Sequence, residues 1–532
     1  MFDALDPDRV VIRSLLEKAA REAPDEPFVA FEDGTSWTRR QALHAAYSAA
    51  SALRDAGVTQ GATVAAALPN GEAYLRTWWG AAVLGAPVVP VDIAHRGPLL
   101  SHLLSMARPT TVVTVPEFHP RLRASLVDTG QSPHVLGPAD IAGYSAGAPA
   151  LDRPIRPWDA VSLALTSGST GPSKLVRVTY AHSGSSGQVN FSLFGIGAAD
   201  TYLADLPMVH VSALYFLHAA VGNNTRISVR TRPALRSYWE VARDTGATVS
   251  QLYSTMISFL EGQAPRGAEH QHKLRVVVTV PLPADPQRFA ERFGIANLAI
   301  GYGSTEASCA IAADPSDPLP PGSTGRLLPG WEVRLVDEHD MEVPPGQAGE
   351  LIIRSSRPWL ITTEYVDNPG ATAAAWRNGW FHTGDLLRRD DDGTFYFVDR
   401  AGDAIRRRGQ NIPSFEVEAV VRAYPGVTDT AVVADRTAVD AEDEVKAWLT
   451  VDLEADVDFD FIGLLRFCVD RLPHYMVPRY FEIIDEFPRT ASAKIRKSEL
   501  RARGSSAATW DRIANGVDVL RTGLVTVTEP RD

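Results

Sequence analysis

The sequence predicts an α/β protein with two wound sheets in its N-terminal part, followed by a small antiparallel β-barrel and an α+β unit. Strand-length apolar runs alternate with helical periodicity over residues 63–114 and again over 202–302, which is typical of parallel sheets covered by helices. Residues 323–400 contain short alternating β segments between Pro/Gly turns, as in small barrels. Two strands between two helices over 414–472 predict the last unit.

The N-terminal segment is predicted to begin with a helix and a hairpin. Apolar residues at helical spacing favour a helix over 10–22, and residues 28–37 favour a hairpin that turns at Asp33 and the glycine after it. Thr38 is a suitable cap for a helix to about residue 56. The alternating segments then follow, with strands predicted at 63–67, 87–91 and 110–114 and helices at 71–84 and 97–107.

The second alternating series follows a connector at 140–158 that is rich in Ala, Gly and Pro. An apolar helix is predicted at 214–221. The predicted strands lie at 161–165, 175–179, 202–207, 226–229, 249–252, 274–279 and 297–302. In the C-terminal unit, helices are predicted at 414–423 and 460–472 and strands at 427–434 and 445–451.

Composition and charge limit the classes of function. A chain of 532 residues is too long for one ordinary core, and its 45% hydrophobic and 22% charged residues are near globular averages. The net charge of −12 gives no support for a nucleic-acid partner. The N-terminus has no secretory apolar core, no stretch resembles a membrane span, and the two cysteines lack metal-ligand spacing. We therefore expect a cytoplasmic protein that does not span a membrane.

The stretch LTSGSTGPSK at 165–174 predicts a phosphate-binding loop at the end of a buried strand. Gly168 and Gly171 lack the Cβ atoms that would keep backbone N–H groups away from anionic oxygens, and Lys174 adds a positive charge. The common P-loop has Ser or Thr after its lysine, whereas Leu175 follows here. Taken alone, the stretch is equally well interpreted as a flexible linker. The loop also supplies four hydroxyl groups, those of Thr166, Ser167, Ser169 and Thr170.

Three further motifs follow in order: GYGSTE at 301–306, HTGD at 382–385 and PRTASAKIRK at 488–497. With the loop, they resemble the adenylate-forming superfamily, which includes acyl-CoA synthetases, aryl-CoA ligases, peptide-synthetase adenylation domains and luciferases. The resemblance covers roughly residues 15–500. It implies a core over residues 1–401 and a mobile C-terminal lid over 402–502, and it leaves 503–532 as a C-terminal extension of unknown role.

The GYGSTE motif is implied to bind ATP and magnesium. Because it follows an apolar strand, we expect Thr305 and Glu306 to project at the carboxyl end of a parallel strand, where α/β ligand sites lie. By resemblance, Tyr302, beside Gly303, stacks on adenine, Thr305 binds the α-phosphate and Glu306 coordinates Mg²⁺, which prefers oxygen ligands. The alternative is a glycine turn with a solvated glutamate.

The other motifs are implied to complete the nucleotide site. The loop from Thr166 to Gly171, with Lys174, is implied to hold the β- and γ-phosphates. Asp385 is implied to accept both ribose hydroxyls, since one carboxylate can serve two donors, with Arg400 close by. The acidic run at 390–392 is better interpreted as a hairpin turn than as a metal site.

The resemblance also implies roles for the lid. Lys494 would bridge the substrate carboxylate and the phosphate, although Ala493 stands where the family usually has Gly. Gly402 aligns with the hinge, usually Asp or Lys, and Gly409 with the thiol tunnel.

The resemblance places His210 and residues 279–281 near the acyl pocket, and only the second segment departs from the family pattern. His210 would gate the carboxylate, with a core or capping histidine as the alternative. By the resemblance, a Gly-Gly-Ala run is usual at the positions of Thr279, Val280 and Pro281. These bulkier residues are therefore expected to shrink or reshape one wall of the substrate pocket.

The sequence therefore predicts an AMP-forming ligase. It would convert a carboxylic acid to an acyl-adenylate with release of pyrophosphate, and would pass the acyl group to a thiol, for which coenzyme A is expected. Three alternatives remain open: activation of nitrite for transfer to an arylamine, loading of a free-standing carrier protein, and nucleotide binding without turnover. The acid itself is a small molecule that the sequence does not identify.

Overall fold

The computed structural model of the chain describes residues 3–95, 97–143, 147–166, 173–280, 283, 285–314, 320, 322–400, 405–407, 410–412, 414–435, 443–452, 459–472, 474–489, 495–520 and 523–526. The helices within these residues are α1 (Pro7–Val10), α2 (Ile12–Glu22), α3 (Arg39–Asp55), α4 (Glu72–Leu84), α5 (Gly97–Ala107), α6 (His119–Thr129), α7 (Tyr180–Leu193), α8 (Val211–Gly222), α9 (Tyr238–Asp244), α10 (Ser254–Gly262), α11 (Pro286–Phe293), α12 (Pro369–Ala375), α13 (Ser414–Arg422), α14 (Phe461–Val469) and α15 (Lys497–Arg503). None of these described helices combines the length and the apolar character needed to cross a bilayer.

The strands fall into two wound sheets, several antiparallel sheets and a C-terminal group. The strands before residue 300 are β1 (Pro27–Phe31), β2 (Ser36–Thr38), β3 (Val64–Ala67), β4 (Val88–Pro90), β5 (Thr111–Thr114), β6 (His134–Leu136), β7 (Ala160–Thr166), β8 (Lys174–Thr179), β9 (Thr201–Ala204), β10 (Arg226–Val229), β11 (Val249–Tyr253), β12 (Val276–Val280) and β13 (Asn297–Ala299). Those that follow are β14 (Gly301–Ser304), β15 (Ser308–Ala312), β16 (Arg326–Leu327), β17 (Trp331–Val336), β18 (Ala348–Ser355), β19 (Trp376–Arg377), β20 (Trp380–Arg389), β21 (Phe395–Arg400), β22 (Ile405–Arg407), β23 (Gln410–Ile412), β24 (Val427–Asp435), β25 (Glu444–Val451), β26 (Tyr480–Ile483), β27 (Trp510–Asp511), β28 (Val517–Leu520) and β29 (Gly523–Thr526).

The two predicted wound sheets are present and are parallel except at one edge of each. Among the described strands, one sheet has the order β6-β5-β3-β4-β7-β8, and the other has the order β13-β12-β11-β9-β10-β1-β2. The antiparallel pairs are β7 with β8 and β1 with β2. The N-terminal hairpin thus joins the second sheet, where Val29 is in register with Ile227, although the chain builds the first sheet in between. Local patterns do not reveal this pairing.

Helices α7 and α8 pack together closely. A Cβ atom at Gly187 of α7 would lie 2.0 Å from the carbonyl oxygen of Tyr215 on α8, so only glycine allows this approach. His218 of α8 also bonds through its ring nitrogens to Ser183 on α7 (2.8 Å) and to the backbone oxygen of Val10 (2.7 Å). The helix pair is therefore fixed in position and can act as a rigid support.

The chain leaves the parallel sheet where the GYGSTE motif begins. Strand β13 ends at Ala299, and β14 pairs antiparallel with β15 in a separate sheet. The prediction of one strand over 297–302 was therefore wrong, and Thr305 and Glu306 follow an antiparallel strand. A curled half-barrel sheet of β17, β18, β20, β19 and β21 comes next, as the alternating pattern predicted.

The C-terminal unit has its own buried apolar clusters. Among the described residues, the buried members of each apolar cluster lie either before residue 396 or after residue 404. The described strands form the order β24-β25-β26-β27, with α13, α14 and α15. The extension that had no predicted role supplies β27, and its Trp510 ring stacks on Phe461 at a centroid distance of 5.5 Å. At least this part of the extension belongs to the C-terminal sheet.

Replacing Gly187 with Ala is expected to separate α7 from α8, because the new methyl group would overlap the Tyr215 carbonyl. Overpacking of this kind costs about 3 kcal/mol, so the midpoint of thermal unfolding should fall by several degrees. Gly262→Ala is the matched control, since a Cβ atom there would meet no atom within 4 Å. Equal midpoints for the two variants would contradict the packing argument.

Candidate active site

The ends of the predicted phosphate loop are held together by the antiparallel pair β7 and β8. Thr166 ends β7, Lys174 begins β8, and the two residues are Cα partners in the register. Lys174 is half-buried, and its Nζ lies 4.7 Å from the centroid of the Tyr365 ring. The Lys174 side chain therefore extends from the end of the loop over the face of the Tyr365 ring.

Glu306 lies two residues beyond β14 and is held by groups from another segment. Its Oε1 accepts a hydrogen bond from the Tyr365 hydroxyl at 3.0 Å, and its backbone oxygen accepts one from the Thr362 N–H at 2.7 Å. Burial raises the pKa of Glu306, and the Tyr365 hydrogen bond acts in the opposite direction. The carboxylate is thus oriented but poorly solvated, which is an environment that favours a cationic partner.

The residues around Glu306 fit magnesium in their chemistry. Mg²⁺ takes few protein carboxylates and completes its shell with phosphate and water oxygens. Within the described residues, no group of three or more His, Cys, Asp or Glu side chains is arranged to hold a metal. A single carboxylate that shares the Tyr365 side chain with Lys174 suits an ion that arrives with a phosphate ligand, and does not suit a closed protein cage.

The turn after Glu306 rests on the α7–α8 pair through a network that the sequence reasoning missed. Nε2 of His182 accepts the backbone N–H of Ser308 at 3.2 Å, which places the ring proton on Nδ1. Burial lowers the pKa of His182 to about 3, so the ring is neutral. Ser308 adopts a positive φ of 49°, which is unfavourable for a residue with a side chain, so the turn depends on such contacts.

Two hydroxyl groups complete this support. The Tyr215 hydroxyl lies 3.3 Å from the backbone oxygen of Thr305 and 3.2 Å from Nε2 of His182. The Ser186 and Ser308 hydroxyl oxygens lie 2.7 Å apart. The only hint in the sequence is that α7 contains no charged residue, which is typical of a helix buried on all sides.

Tyr302, Asp385 and Arg400 form a second cluster at the other end of β14. The Tyr302 hydroxyl donates to Asp385 Oδ2 at 2.7 Å, and Nε of Arg400 lies 3.1 Å from Asp385 Oδ1. Asp385 and Arg400 are Cα partners on β20 and β21. Gly303 allows β14 to approach β15, because a Cβ atom there would lie 2.6 Å from the Ser308 oxygen. The structure thus brings these sequence-predicted residues together.

His210 precedes α8 and lies beside the carboxyl end of β11. Its ring stands at 84° to the Tyr253 ring at a centroid distance of 6.2 Å, and the Tyr253 and Ser212 hydroxyl oxygens lie 2.5 Å apart. His210 is the N-cap residue of α8, but its side chain makes no capping hydrogen bond to the helix. Thr279 is fully buried near the end of β12, and its hydroxyl lies 3.5 Å from the Ala299 oxygen.

Several sequence-predicted residues lie outside the described part of the chain. They are Ser167, Gly168, Ser169, Thr170 and Gly171 of the loop, Pro281 of the expected pocket wall, and Gly402, Gly409 and Lys494 of the expected lid.

Family models and known proteins resemble this chain over most of its length. The AMP-binding enzyme model matches residues 16–365, and the AMP-binding enzyme C-terminal domain model matches residues 416–494. Crotonobetaine/carnitine–CoA ligase of Salmonella arizonae is 30% identical over 466 residues, which are 84% of this chain and 89% of the relative. The corresponding ligase of Escherichia coli K12 is 28% identical over 464 residues, again 84% and 89% of the two chains.

Solved structures share the fold. O-succinylbenzoate coenzyme A synthetase of Bacillus subtilis with ATP and magnesium matches with a TM-score of 0.79, covering 92% of this chain and 99% of the other at 22% identity. ATP-bound MatB of Rhodopseudomonas palustris matches with a TM-score of 0.80, covering 93% and 99% at 21% identity. This chain therefore belongs to the AMP-binding enzyme family and is an AMP-forming ligase of the acid–thiol type.

Proposed function

We propose that the protein converts a small carboxylic acid to its acyl-adenylate at the expense of ATP, and then transfers the acyl group to coenzyme A. The observation that supports this most is the grouping of Lys174, Glu306 and Tyr365 at one end of β14 with Tyr302 and Asp385 at the other. A cation and a metal-type carboxylate suit a polyphosphate, and a hydroxyl-binding carboxylate suits a ribose. The relatives named as CoA ligases support the choice of thiol.

Each residue has a part in this proposal. The loop from Thr166 to Gly171 and Lys174 bind the departing phosphates, and Thr305 binds the α-phosphate. Glu306 would hold Mg²⁺, and the bound ion would neutralise charge on the phosphate oxygens. Asp385 accepts the ribose hydroxyls while Tyr302 and Arg400 hold its carboxylate in place.

The first half-reaction needs positioning and charge stabilisation more than covalent help. A carboxylate oxygen attacks the α-phosphorus and pyrophosphate leaves, so negative charge builds up on phosphate oxygens. Lys494 and the Thr305 hydroxyl stabilise that charge, and Lys494 also contacts the attacking carboxylate. His210, at the head of α8, borders the path of the acid. These contacts favour attack because they hold both reactants in line.

The second half-reaction requires the thiol to reach the same carbon. We propose a core over residues 1–401 and a lid over 402–502 that turns about Gly402 and brings Gly409 to the thiol path. The separate apolar clusters on the two sides of residue 400 support this division. The Ser414 N–H donates a hydrogen bond to Asp399 Oδ2 at 2.9 Å, which is a described contact between the two sides. Rotation of the lid would either break this hydrogen bond or move Asp399 together with Ser414.

A second candidate substrate is nitrite, activated for transfer to an arylamine. Thr279 supports this candidate, because its side chain is fully buried near the end of β12, at a position where the family pattern usually has glycine. A smaller pocket would suit a smaller oxyacid.

ATP-dependent pyrophosphate release should distinguish these substrates. We expect release with one class among aryl, short, medium and amino acids, increased by coenzyme A because thiol transfer removes the adenylate. Release with nitrite alone, followed by coupling to an arylamine, would replace coenzyme A with an amine as acceptor. Release with an acid but no response to coenzyme A would favour a carrier protein, and no release with any acid would contradict turnover.

Lys494→Ala should reduce adenylate formation about 100-fold, the scale of losing one transition-state contact, and should spare thioester formation from supplied acyl-adenylate. Pyrophosphate release reports the first step, and thioester yield from synthetic adenylate reports the second. Arg503→Ala is the control, since it removes an exposed basic residue from α15. Equal loss in both half-reactions would mean that Lys494 acts structurally.

A further inference from the structure

Tyr365 connects the two charged groups that the proposed function assigns to phosphate and metal. Its hydroxyl donates to Oε1 of Glu306 at 3.0 Å, and its ring centroid lies 4.7 Å from Nζ of Lys174. The residue is 8% exposed. Among the described residues, Lys174 forms no ion pair with any carboxylate. The tyrosine is therefore in contact with two opposite charges that do not pair with each other.

A direct pair between such charges would work against ligand binding. An ammonium and a carboxylate that meet in a half-buried site neutralise each other, and a ligand must then separate them. The ring face attracts an ammonium more weakly than a carboxylate does and can give it up to a phosphate. The hydroxyl, by donating to Glu306, orients the carboxylate and leaves its second oxygen for another partner. One side chain thus keeps both groups available.

The backbone around Tyr365 is anchored to both partners. The Val366 N–H donates to the Leu175 oxygen at 2.8 Å, next to Lys174 on β8. The Thr362 N–H donates to the Glu306 oxygen at 2.7 Å. The Tyr365 N–H itself donates to Oγ1 of Thr372 at 3.0 Å. Because segment 362–366 is tied to β8 and to the Glu306 turn, the side chain between them needs no ordering when a ligand arrives.

We propose that Tyr365 is a positioning residue that keeps Lys174 and Glu306 apart and correctly aimed, so that magnesium and the phosphates of ATP can bind together. The inference rests on the proposed function, because it takes the ligand to be ATP with Mg²⁺. It adds a residue that lies in none of the sequence motifs.

Two substitutions separate the contacts of Tyr365. Tyr365→Phe keeps the ring and removes the hydroxyl, whereas Tyr365→Leu removes both. ATP binding is measured by calorimetry at a series of Mg²⁺ concentrations, so the identity of the acid is not needed. Tyr365→Phe should raise the Mg²⁺ concentration for half-maximal binding about tenfold, the scale of one hydrogen bond to a charged group. Tyr365→Leu should also weaken ATP binding at saturating Mg²⁺, because Lys174 can then pair with Glu306.

A double substitution distinguishes this role from a structural one. If the hydroxyl acts through Glu306, Tyr365→Phe should cause no further change in Mg²⁺ dependence once Glu306→Gln is present. The matched control is Tyr396→Phe, because Tyr396 also lies under a cation, with Cζ of Arg388 4.1 Å from its ring centroid, and beside a carboxylate, Asp390. It belongs to β21 and has a different cation and a different carboxylate as neighbours, so its substitution should leave ATP binding unchanged.

The outcomes are distinct. Wild-type Mg²⁺ dependence in Tyr365→Phe, an equal shift in Tyr396→Phe, or a full additional shift in the Glu306→Gln background would each overturn the positioning role while leaving the proposed function in place. A wild-type protein that binds no ATP at any Mg²⁺ concentration would overturn the proposed function and this inference with it.

Discussion

The carboxyl group of Glu306 lies where water solvates it poorly, and three parts of the chain hold it there: segment 362–366, α7 and α8. The Tyr365 hydroxyl and the Thr362 amide bond to the residue directly. Helix α7 supports the following turn through His182, and α8 supports the preceding residue through Tyr215. A carboxylate in such a setting is stabilised by a nearby cation, so the same arrangement that raises its pKa favours metal binding. The close packing at Gly187 fixes α7 against α8, and these two helices carry the supporting side chains of His182 and Tyr215.

Much of the fold and part of the site could be predicted because their signals are local. Alternating apolar runs mark the strands of both wound sheets, and Gly303 belongs to a contiguous motif whose close backbone approach requires glycine. The contacts that assemble the site are not local. Tyr302 and Asp385 are 83 positions apart, and Tyr365 and Glu306 are 59 apart. No periodicity or turn signal indicates which distant side chain a tyrosine will meet.

The same limit explains the predictions that failed. An apolar run followed by a glycine motif does not show where one sheet ends and another begins, so residues 297–302 were assigned to one strand although β14 pairs with β15. The hairpin β1–β2 is recognisable from its turn, but its place beside β10 depends on how the sheets pack. Residues 279–281 were predicted to depart from the family pattern, and of these the structure describes Thr279 as fully buried.

Lys446 shows how the C-terminal extension is attached. Its ammonium is almost fully buried and donates to Oε2 of Glu482 at 2.6 Å, to the Gly504 oxygen at 2.6 Å and to Oγ1 of Thr509 at 3.2 Å, so all three of its protons have partners. Two of these acceptors belong to the extension. Loss of those acceptors would leave a poorly satisfied charge inside the C-terminal unit, so the extension contributes to its stability.

The short strand β27 has a consequence beyond stability. It pairs antiparallel with β26, which is otherwise the outermost strand on that side of the described C-terminal sheet. An uncovered strand edge offers a row of unpaired N–H and C=O groups on which another chain can align. Trp510 and Asp511 therefore cover the backbone edge of β26 beside them, and a chain that ended at Arg503 would leave that edge without its neighbouring strand.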